Sequence, residues 1–139
     1  MLVNKRVFLD TNVIIDILNS QRVNHKNATK LLEQLILNDI SVVISEDMLS
    51  TIFYIVKDKK KTLEFFLVVI EDWIVSPYGK ETIKKALKIS LENSVDLEDT
   101  LQCLCAKENG CDALITHDNK FYNCGIEILT IEQFLNNDD

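Results

Sequence analysis

Arg6-Val-Phe-Leu-Asp10-Thr11-Asn12-Val13-Ile-Ile-Asp16-Ile-Leu18 is the stretch on which the fold turns. A short apolar run rich in Val, Phe and Leu suits a buried strand, and it stops at a carboxylate followed by the polar pair Thr11-Asn12. From Val13 to Leu18 the apolar residues resume at helical spacing. The segment therefore predicts strand, turn, helix, with Asp10 at the strand's carboxyl end.

The same alternation continues downstream. Asn24 to Leu37 places Ala28, Leu31, Leu32, Leu35 and Ile36 on one helical stripe, and Ile40 to Ile44 is a β-branched run that predicts a second strand. Ser45-Glu46-Asp47 is a helix-start signal leading into Met48 to Val56. Lys57 to Lys61 separates that helix from another over Thr62 to Ile70. Trp73 to Val75 predicts a third strand, ended by Ser76-Pro77, and Lys80 to Leu91 a helix with Ile83, Ala86, Leu87 and Leu91 inward. Asp96 to Glu108 is the next helix, Ala113 to Thr116 and Ile126 to Leu129 the last strands, and Ile131 to Leu135 a closing helical turn. Strands alternating with helices of this length imply right-handed βαβ units, hence an α/β fold with a parallel sheet of four to five strands covered on both faces.

Composition sets bounds on the whole. At 139 residues, 47% hydrophobic and 27% charged, with 3 Gly and 1 Pro, the chain reads as one domain over residues 1–139, disordered at most in the tail Asn136 to Asp139. Met1 to Arg6 do not form a basic region followed by a long apolar stretch, and no apolar run reaches the roughly 18 residues that span a bilayer, so a cytoplasmic protein without a membrane partner is expected. Cys103, Cys105, Cys111 and Cys124 lack metal-ligand spacing and are expected to be buried free thiols. A net charge of −7 argues against gripping nucleic acid through a broadly basic surface, but an acidic site that takes up metal ions is compatible with it.

In open parallel sheets the residues just after each strand converge, whatever their separation in sequence. That brings Asp10, Glu46 and Asp118 to one edge, with Asp96, Glu98 and Asp99 opening the helix before the fourth strand. Two carboxylates ~4 Å apart repel by about 4 kcal/mol at an effective dielectric near 20. A hard divalent ion such as Mg²⁺ or Mn²⁺ relieves that repulsion and activates water for phosphodiester hydrolysis. Asn12 and Thr116 are polar at the same edge and suited to orient the carboxylates. Each acid also has an ordinary explanation: Asp10 as a helix cap, Asp99 as the third residue of a capping box behind Asp96, Asp118 as an Asx turn. The basic runs Lys57 to Lys61 and Lys84-Lys85-Lys88 read first as solvated helix features, as do Arg22, His25 and Lys26, with contacts to an RNA backbone as the alternative. His117 beside Asp118 is not needed as an acid or base where metal activates the water.

Three motifs in order, Val7-Phe-Leu-Asp-Thr-Asn-Val-Ile-Ile-Asp16, Val95-Asp-Leu-Glu-Asp-Thr-Leu-Gln102 and Ala113-Leu-Ile-Thr-His-Asp-Asn-Lys-Phe121, resemble the PIN domain, particularly VapC-like toxins. The resemblance implies a three-layer α/β/α sandwich and a Mg²⁺- or Mn²⁺-dependent ribonuclease held in check by a small antitoxin, with homodimers common. It carries the catalytic and metal roles to Asp10, Asp99 and Asp118, and supporting roles to Asn12 and Thr116. This chain departs from the pattern in one place. Many members carry a Glu in the helix after the second strand, where Ser50 to Tyr54 here offers Thr51. Glu98 or Asp96 is the expected replacement, ahead of Glu46.

Two further function classes stand beside the RNA-cutting one. Thr51 and the acidic balance suit a PIN-like module that binds RNA or protein without cutting. A phosphotransferase of the haloacid dehalogenase or receiver type also has an Asp after its first strand, but the former needs a second Asp where this chain has Asn12, and the latter an acidic pair before its phosphate acceptor.

Overall fold

The computed structural model describes residues 5–118 and 120–136. The elements in chain order are β1 (Arg6–Leu9), α1 (Thr11–Leu18), α2 (His25–Leu37), β2 (Ser41–Ser45), α3 (Asp47–Ile55), α4 (Lys59–Val69), β3 (Ile74–Ser76), α5 (Lys80–Asn93), α6 (Leu97–Glu108), β4 (Ala113–Ile115), β5 (Glu127–Leu129) and α7 (Ile131–Asn136). The five strands form one sheet in the order β3-β2-β1-β4-β5, parallel at every pairing. From β1 the chain steps to β2 and β3 on one side, then crosses back to β4 and β5 on the other. Right-handed connections therefore put α1 to α4 on one face and α5 and α6 on the opposite face. Contacts agree: α1, α2 and α7 pack together, α3 joins α1 to α4, and α5 packs on α6, which lies over β2 and β4. The result is the three-layer α/β/α sandwich that the alternation predicts.

The central strands are apolar on both faces because both are covered. Phe8, Leu9, Ile44, Leu114 and Ile115 are fully buried, as are Ile14 and Ile15 of α1 and Leu31 of α2. Each such side chain contributes about 1.5–3 kcal/mol of transfer free energy, which holds the carboxyl ends of β1 and β4 in register. Two backbone bonds extend that register into the loops: the Asp10 amide donates to the Ile115 carbonyl at 3.0 Å, and the Thr116 amide to the Leu129 carbonyl at 2.9 Å.

Several expected boundaries move by one to three residues. Helix α1 begins at Thr11 instead of after Asn12, since Asp10 is extended (φ −65°, ψ 152°) and serves as its cap position. Helix α4 begins at Lys59, inside the lysine run expected to separate helices, because Asp58 accepts the Lys61 amide at 3.0 Å and caps it. Asn136 belongs to α7, and the rest of the tail, residues 137–139, lies outside the described residues.

Two apolar stripes are corrected. In α2 the buried positions are Ala28, Leu31 and Leu35, while Ile36 is 68% exposed. In α5 only Ala86 of the expected stripe is buried; Ile83, Leu87 and Leu91 face solvent, Leu91 at 84% exposure. The cause is the small face Thr82-Ala86, which seats α5 on α6, with the Thr82 hydroxyl hydrogen-bonded to the Glu108 carboxylate. Cysteine chemistry is corrected too: Cys103 of α6 and Cys124 of the β4–β5 connection form a disulfide, so only Cys105 and Cys111 are the buried free thiols expected. Among the described residues no helix is long and apolar enough to cross a membrane.

Candidate active site

Strands β1 and β4 are neighbours whose chains leave in opposite directions, β1 toward α1 and β2, β4 toward β5. A crevice opens where connections diverge in this way, beyond the carboxyl ends of the strands. Asp10 ends β1 there, and Thr116 and Asp118 follow β4. Helix α6 brings its first turn, with Glu98 and Asp99, to the same crevice.

Asp10 is only 7% exposed and is not used as a side-chain cap. That removes its ordinary explanation. Its Oδ2 accepts the Thr116 hydroxyl at 2.8 Å, and the Thr116 oxygen in turn accepts the Asp118 amide at 3.1 Å. Burial raises the Asp10 carboxyl above the usual carboxylate range, the hydrogen bonds from Thr116, the Thr11 backbone and Gln102 oppose the shift, and the Asp118 charge adds to it.

Asp99 is pushed up to about 7, first by partial burial and then by the charges of Asp96, Asp118, Asp10 and Glu98. Glu98 is raised by desolvation and by Asp10, Asp47 and Asp96. The carboxylates from four separate chain segments, the end of β1, the start of α3, the start of α6 and the turn after β4, thus feel one another's charge. Among the described residues the carboxylates with a basic side chain within ion-pair distance reduce to Asp16, which meets Arg22 and lies 3.2 Å from the His117 ring, so none of these six acids has a cationic partner.

The remaining sequence candidates divide. Asp96 caps α6, its Oδ1 accepting the Asp99 amide at 2.9 Å, so its capping role is real and it adds charge besides. Asp118 makes the expected Asx turn, its Oδ1 accepting the Lys120 amide at 2.9 Å, yet its charge still reaches Asp10 and Asp99. Asn12 lies exposed on the first turn of α1, its Oδ1 facing an Arg22 Nη2 at 3.4 Å. Thr51 is turned to its own helix, its hydroxyl donating to the Asp47 carbonyl at 3.2 Å. Glu46 lies exposed just before α3, and it is Asp47 whose charge reaches Glu98.

Two contributors escaped the sequence reading. Gln102 is fully buried on α6, one turn after Asp99, and its amide donates to the Thr11 hydroxyl at 3.2 Å while lowering Asp10. A polar residue at i+3 from Asp99 on an otherwise buried helix face was the available signal. Asp47 stands one turn before Thr51 on the same helix face, where an acid at i−4 could have been sought once Thr51 proved to lack a carboxylate.

The donor set is all oxygen, partly buried and short of positive charge, which suits a hard divalent cation. Among the described residues no three acids, histidines or cysteines stand close enough to hold an ion as they are.

Comparison with known proteins shows the family. The PIN domain family model matches residues 7–126. The chain is 38% identical to Ribonuclease VapC1 of Aquifex aeolicus (strain VF5) over 135 residues, covering 94% of each protein. Among solved structures it is similar to the Mycobacterium tuberculosis VapC20, a Sarcin-Ricin loop cleaving toxin, with a TM-score of 0.67, 14% identity and coverage of 86% of this chain and 95% of that one. It is also similar to a toxin-antitoxin complex from Klebsiella pneumoniae, with a TM-score of 0.66, 18% identity and coverage of 90% and 97%. With the strand order, the switch-point crevice and these matches in agreement, the chain belongs to the PIN domain family and is closely related to the VapC-type ribonuclease toxins.

Proposed function

We propose that this protein is a Mg²⁺- or Mn²⁺-dependent endoribonuclease that hydrolyses RNA phosphodiesters, and the toxin of a VapBC-type pair. The observation that carries the reading is the set of converging carboxylates with raised proton affinity and no cationic partner among the described residues. Such an arrangement costs stability unless a divalent ion compensates it. Asp10, Asp99 and Asp118 would hold the metal, with Glu98 and Asp96 completing the negative charge that Thr51 does not supply. The ion, when bound, lowers the pKa of its water and offsets charge on the phosphoryl oxygens.

The chain's own groups do the positioning. Thr116 fixes one Asp10 oxygen and the Asp118 backbone together, so the carboxylates on β1 and after β4 move as one unit. Gln102 ties α6 to Thr11 beside Asp10 and so sets the height of Asp99 over the sheet edge. Asn12, at the rim, is placed to orient a water or a phosphate oxygen.

A small antitoxin is the proposed partner, since one similar structure is itself a toxin-antitoxin complex. A cleft of about 410 Å³ between α1–α2 and α4, lined by Ile17, Leu18, Leu32, Ile36, Phe65 and Val68, offers an apolar seat for such a segment. The exposed stripe Ile83, Leu87 and Leu91 of α5 would suit a homodimer contact.

Purified protein with Mn²⁺ is expected to cleave single-stranded RNA, and Asp10→Asn to abolish cleavage. Cleavage untouched by that substitution sinks the assignment. The competing reading, a PIN-like module that binds RNA or protein without cutting, is favoured by one observation, that the Thr51 hydroxyl is spent on the Asp47 carbonyl. Calorimetry showing no uptake of Mg²⁺ or Mn²⁺ while RNA or partner binding persists would decide for it.

A further inference from the structure

The chain has two arginines, Arg6 and Arg22. Arg6 sits at the amino end of β1, where its Nη1 donates to the Asn109 carbonyl at 2.8 Å, away from the crevice. Arg22 lies in the connection between α1 and α2 and folds back along α1. Its Nε donates to Asp16 Oδ1 at 2.9 Å, and its Nη2 faces Asn12 Oδ1 at 3.4 Å. Asp16 and Asn12 are four residues apart and therefore neighbours on one helix face. The guanidinium thus spans from a carboxylate one turn down α1 to the rim residue two positions past Asp10.

Asp16 itself is unusual. It is 2% exposed, yet it is a carboxylate on a helix whose other buried positions, Thr11 at its start apart, are apolar. Its second oxygen stands 3.2 Å from Nε2 of His117, the residue before Asp118, and its backbone carbonyl stands 2.8 Å from Nδ1 of His25. One buried side chain thereby gathers the α1–α2 connection and the segment after β4 at the same side of the crevice. Folding gains little from a buried carboxylate paired with a half-solvated arginine, because desolvation offsets the attraction. Holding the arginine at a chosen place is the better account of it.

Arg22 is 38% exposed, and among the described residues its Nη1 has no hydrogen-bond partner. A planar fork with free donors at the edge of an acidic crevice suits one ligand chemistry, a phosphate oxygen of the chain being cut. The other nearby cations are less suited. Lys59, in the lysine run, is spent on the carbonyls closing α3, those of Phe53, Tyr54 and Val56. Lys84, Lys85 and Lys88 lie on α5, on the other face of the sheet. With a net charge of −7, the crevice needs a fixed cation to bring a polyanion near the acids.

Resting on the ribonuclease reading, we propose that Arg22 contacts an RNA phosphate beside the scissile bond, and that Asp16 is the positioning residue that holds it there. The contact is electrostatic and backbone-directed, so it adds affinity without sequence preference.

The test uses the full-length protein with Mn²⁺ and a short fluorescein-labelled single-stranded RNA, bound to the Asp99→Asn variant so that cleavage does not intervene. Adding Arg22→Gln is expected to weaken binding roughly five- to ten-fold and to lower the salt slope of log K by ~0.7, the loss of one phosphate contact on a single strand. Arg22→Lys should retain part of that slope, and Asp16→Asn should resemble Arg22→Gln. In the cleaving protein the loss should appear in KM, with kcat and Mn²⁺ affinity within about two-fold, whereas a merely structural role would lower all three. Unchanged binding and salt slope in Arg22→Gln overturn the inference, as does a loss confined to kcat, or wild-type protein that binds no RNA. Should Asp16→Asn fail to fold by circular dichroism, the Gln and Lys variants of Arg22 carry the test alone. RNA that binds wild-type protein through Arg22 but is not cut with Mn²⁺ would refute the enzyme reading and with it the place beside a scissile bond, keeping only the contact of Arg22 with a phosphate.

Discussion

Thr116 and Asp10 are joined across neighbouring strand ends by a hydrogen bond of 2.8 Å from the threonine hydroxyl to the aspartate Oδ2. The same hydroxyl oxygen accepts the Asp118 amide at 3.1 Å, so one fully buried side chain sets two candidate ligands. Thr116→Val keeps the shape and removes both bonds. We expect Mn²⁺ affinity or RNA cleavage to fall about 10- to 100-fold, the usual cost of losing a partner that orients a ligand. Thr116→Ser should recover most of it. Mn²⁺ titration by calorimetry, read beside a cleavage assay, checks this, and a valine variant with wild-type affinity would show that Thr116 serves only the turn.

Acidic pH should stabilise the metal-free protein at this site. The Asp99 carboxyl is pushed up to about 7 by burial and by its acidic neighbours, against 3.8 for the free side chain, and Asp10 and Glu98 shift in the same direction. Between those two values the folded state holds a proton that the unfolded state has lost. The stabilisation is thus complete below the unfolded pKa and disappears as pH rises through about 7. Melting curves without metal should show stability falling over this window, and Asp99→Asn should flatten the fall. Excess Mn²⁺ should raise Tm more at about pH 8 than at about pH 5, because the ion competes with the proton. Equal shifts at both values would mean that these carboxyls are not the ion's ligands.

The fold was legible because its determinants are local and strongly periodic: the apolar run Val7–Leu9, the β-branched run Val42–Ile44, and the stripe Ala28-Leu31-Leu35. Convergence of Asp10, Asp99 and Asp118 followed from topology alone. What sequence could not supply were facts set by packing. Ile83, Leu87 and Leu91 have a core-like spacing, yet α5 docks through Thr82 and Ala86, because small residues let it approach α6 closely. The partner of Cys103 is Cys124, 21 residues on, and no spacing rule distinguishes that pair from the other two thiols. Asp16 carries no signal in the sequence beyond being an acid within an apolar helix, and its 2% exposure with the bond from Arg22 is set by packing.

The Cys103–Cys124 bridge joins α6, four residues beyond Asp99, to the segment that begins with Asp118. Closing a loop of this length stabilises a fold by about 3 kcal/mol in the chain-entropy account. Unfolded but unreduced protein should expose two reactive thiols, Cys105 and Cys111, and reduced protein all four. In the native state neither should react quickly, since both are buried and burial pushes the Cys111 thiol up to about 12. Cys124→Ala should lower stability by about the same 3 kcal/mol in denaturant titrations. Four thiols titrating before reduction would refute the bridge.

Thr51 and Asp47 share one face of α3, and it is Asp47 whose charge reaches Glu98 across the crevice. A carboxylate at position 51 would therefore add to a group of acids already in repulsion. Thr51→Glu is expected to lower the stability of the metal-free protein, by an amount on the order of 1 kcal/mol given solvent screening, and to tighten Mn²⁺ binding. The two effects have opposite signs from a single charge, which separates them from ordinary helix destabilisation. Asp47→Asn should act the other way, easing the metal-free protein and weakening the ion. Thermal melts with and without Mn²⁺ measure both. If Thr51→Glu destabilises equally in either condition, the α3 face does not reach the ion, and the negative charge at the site comes from α6 and the strand ends alone.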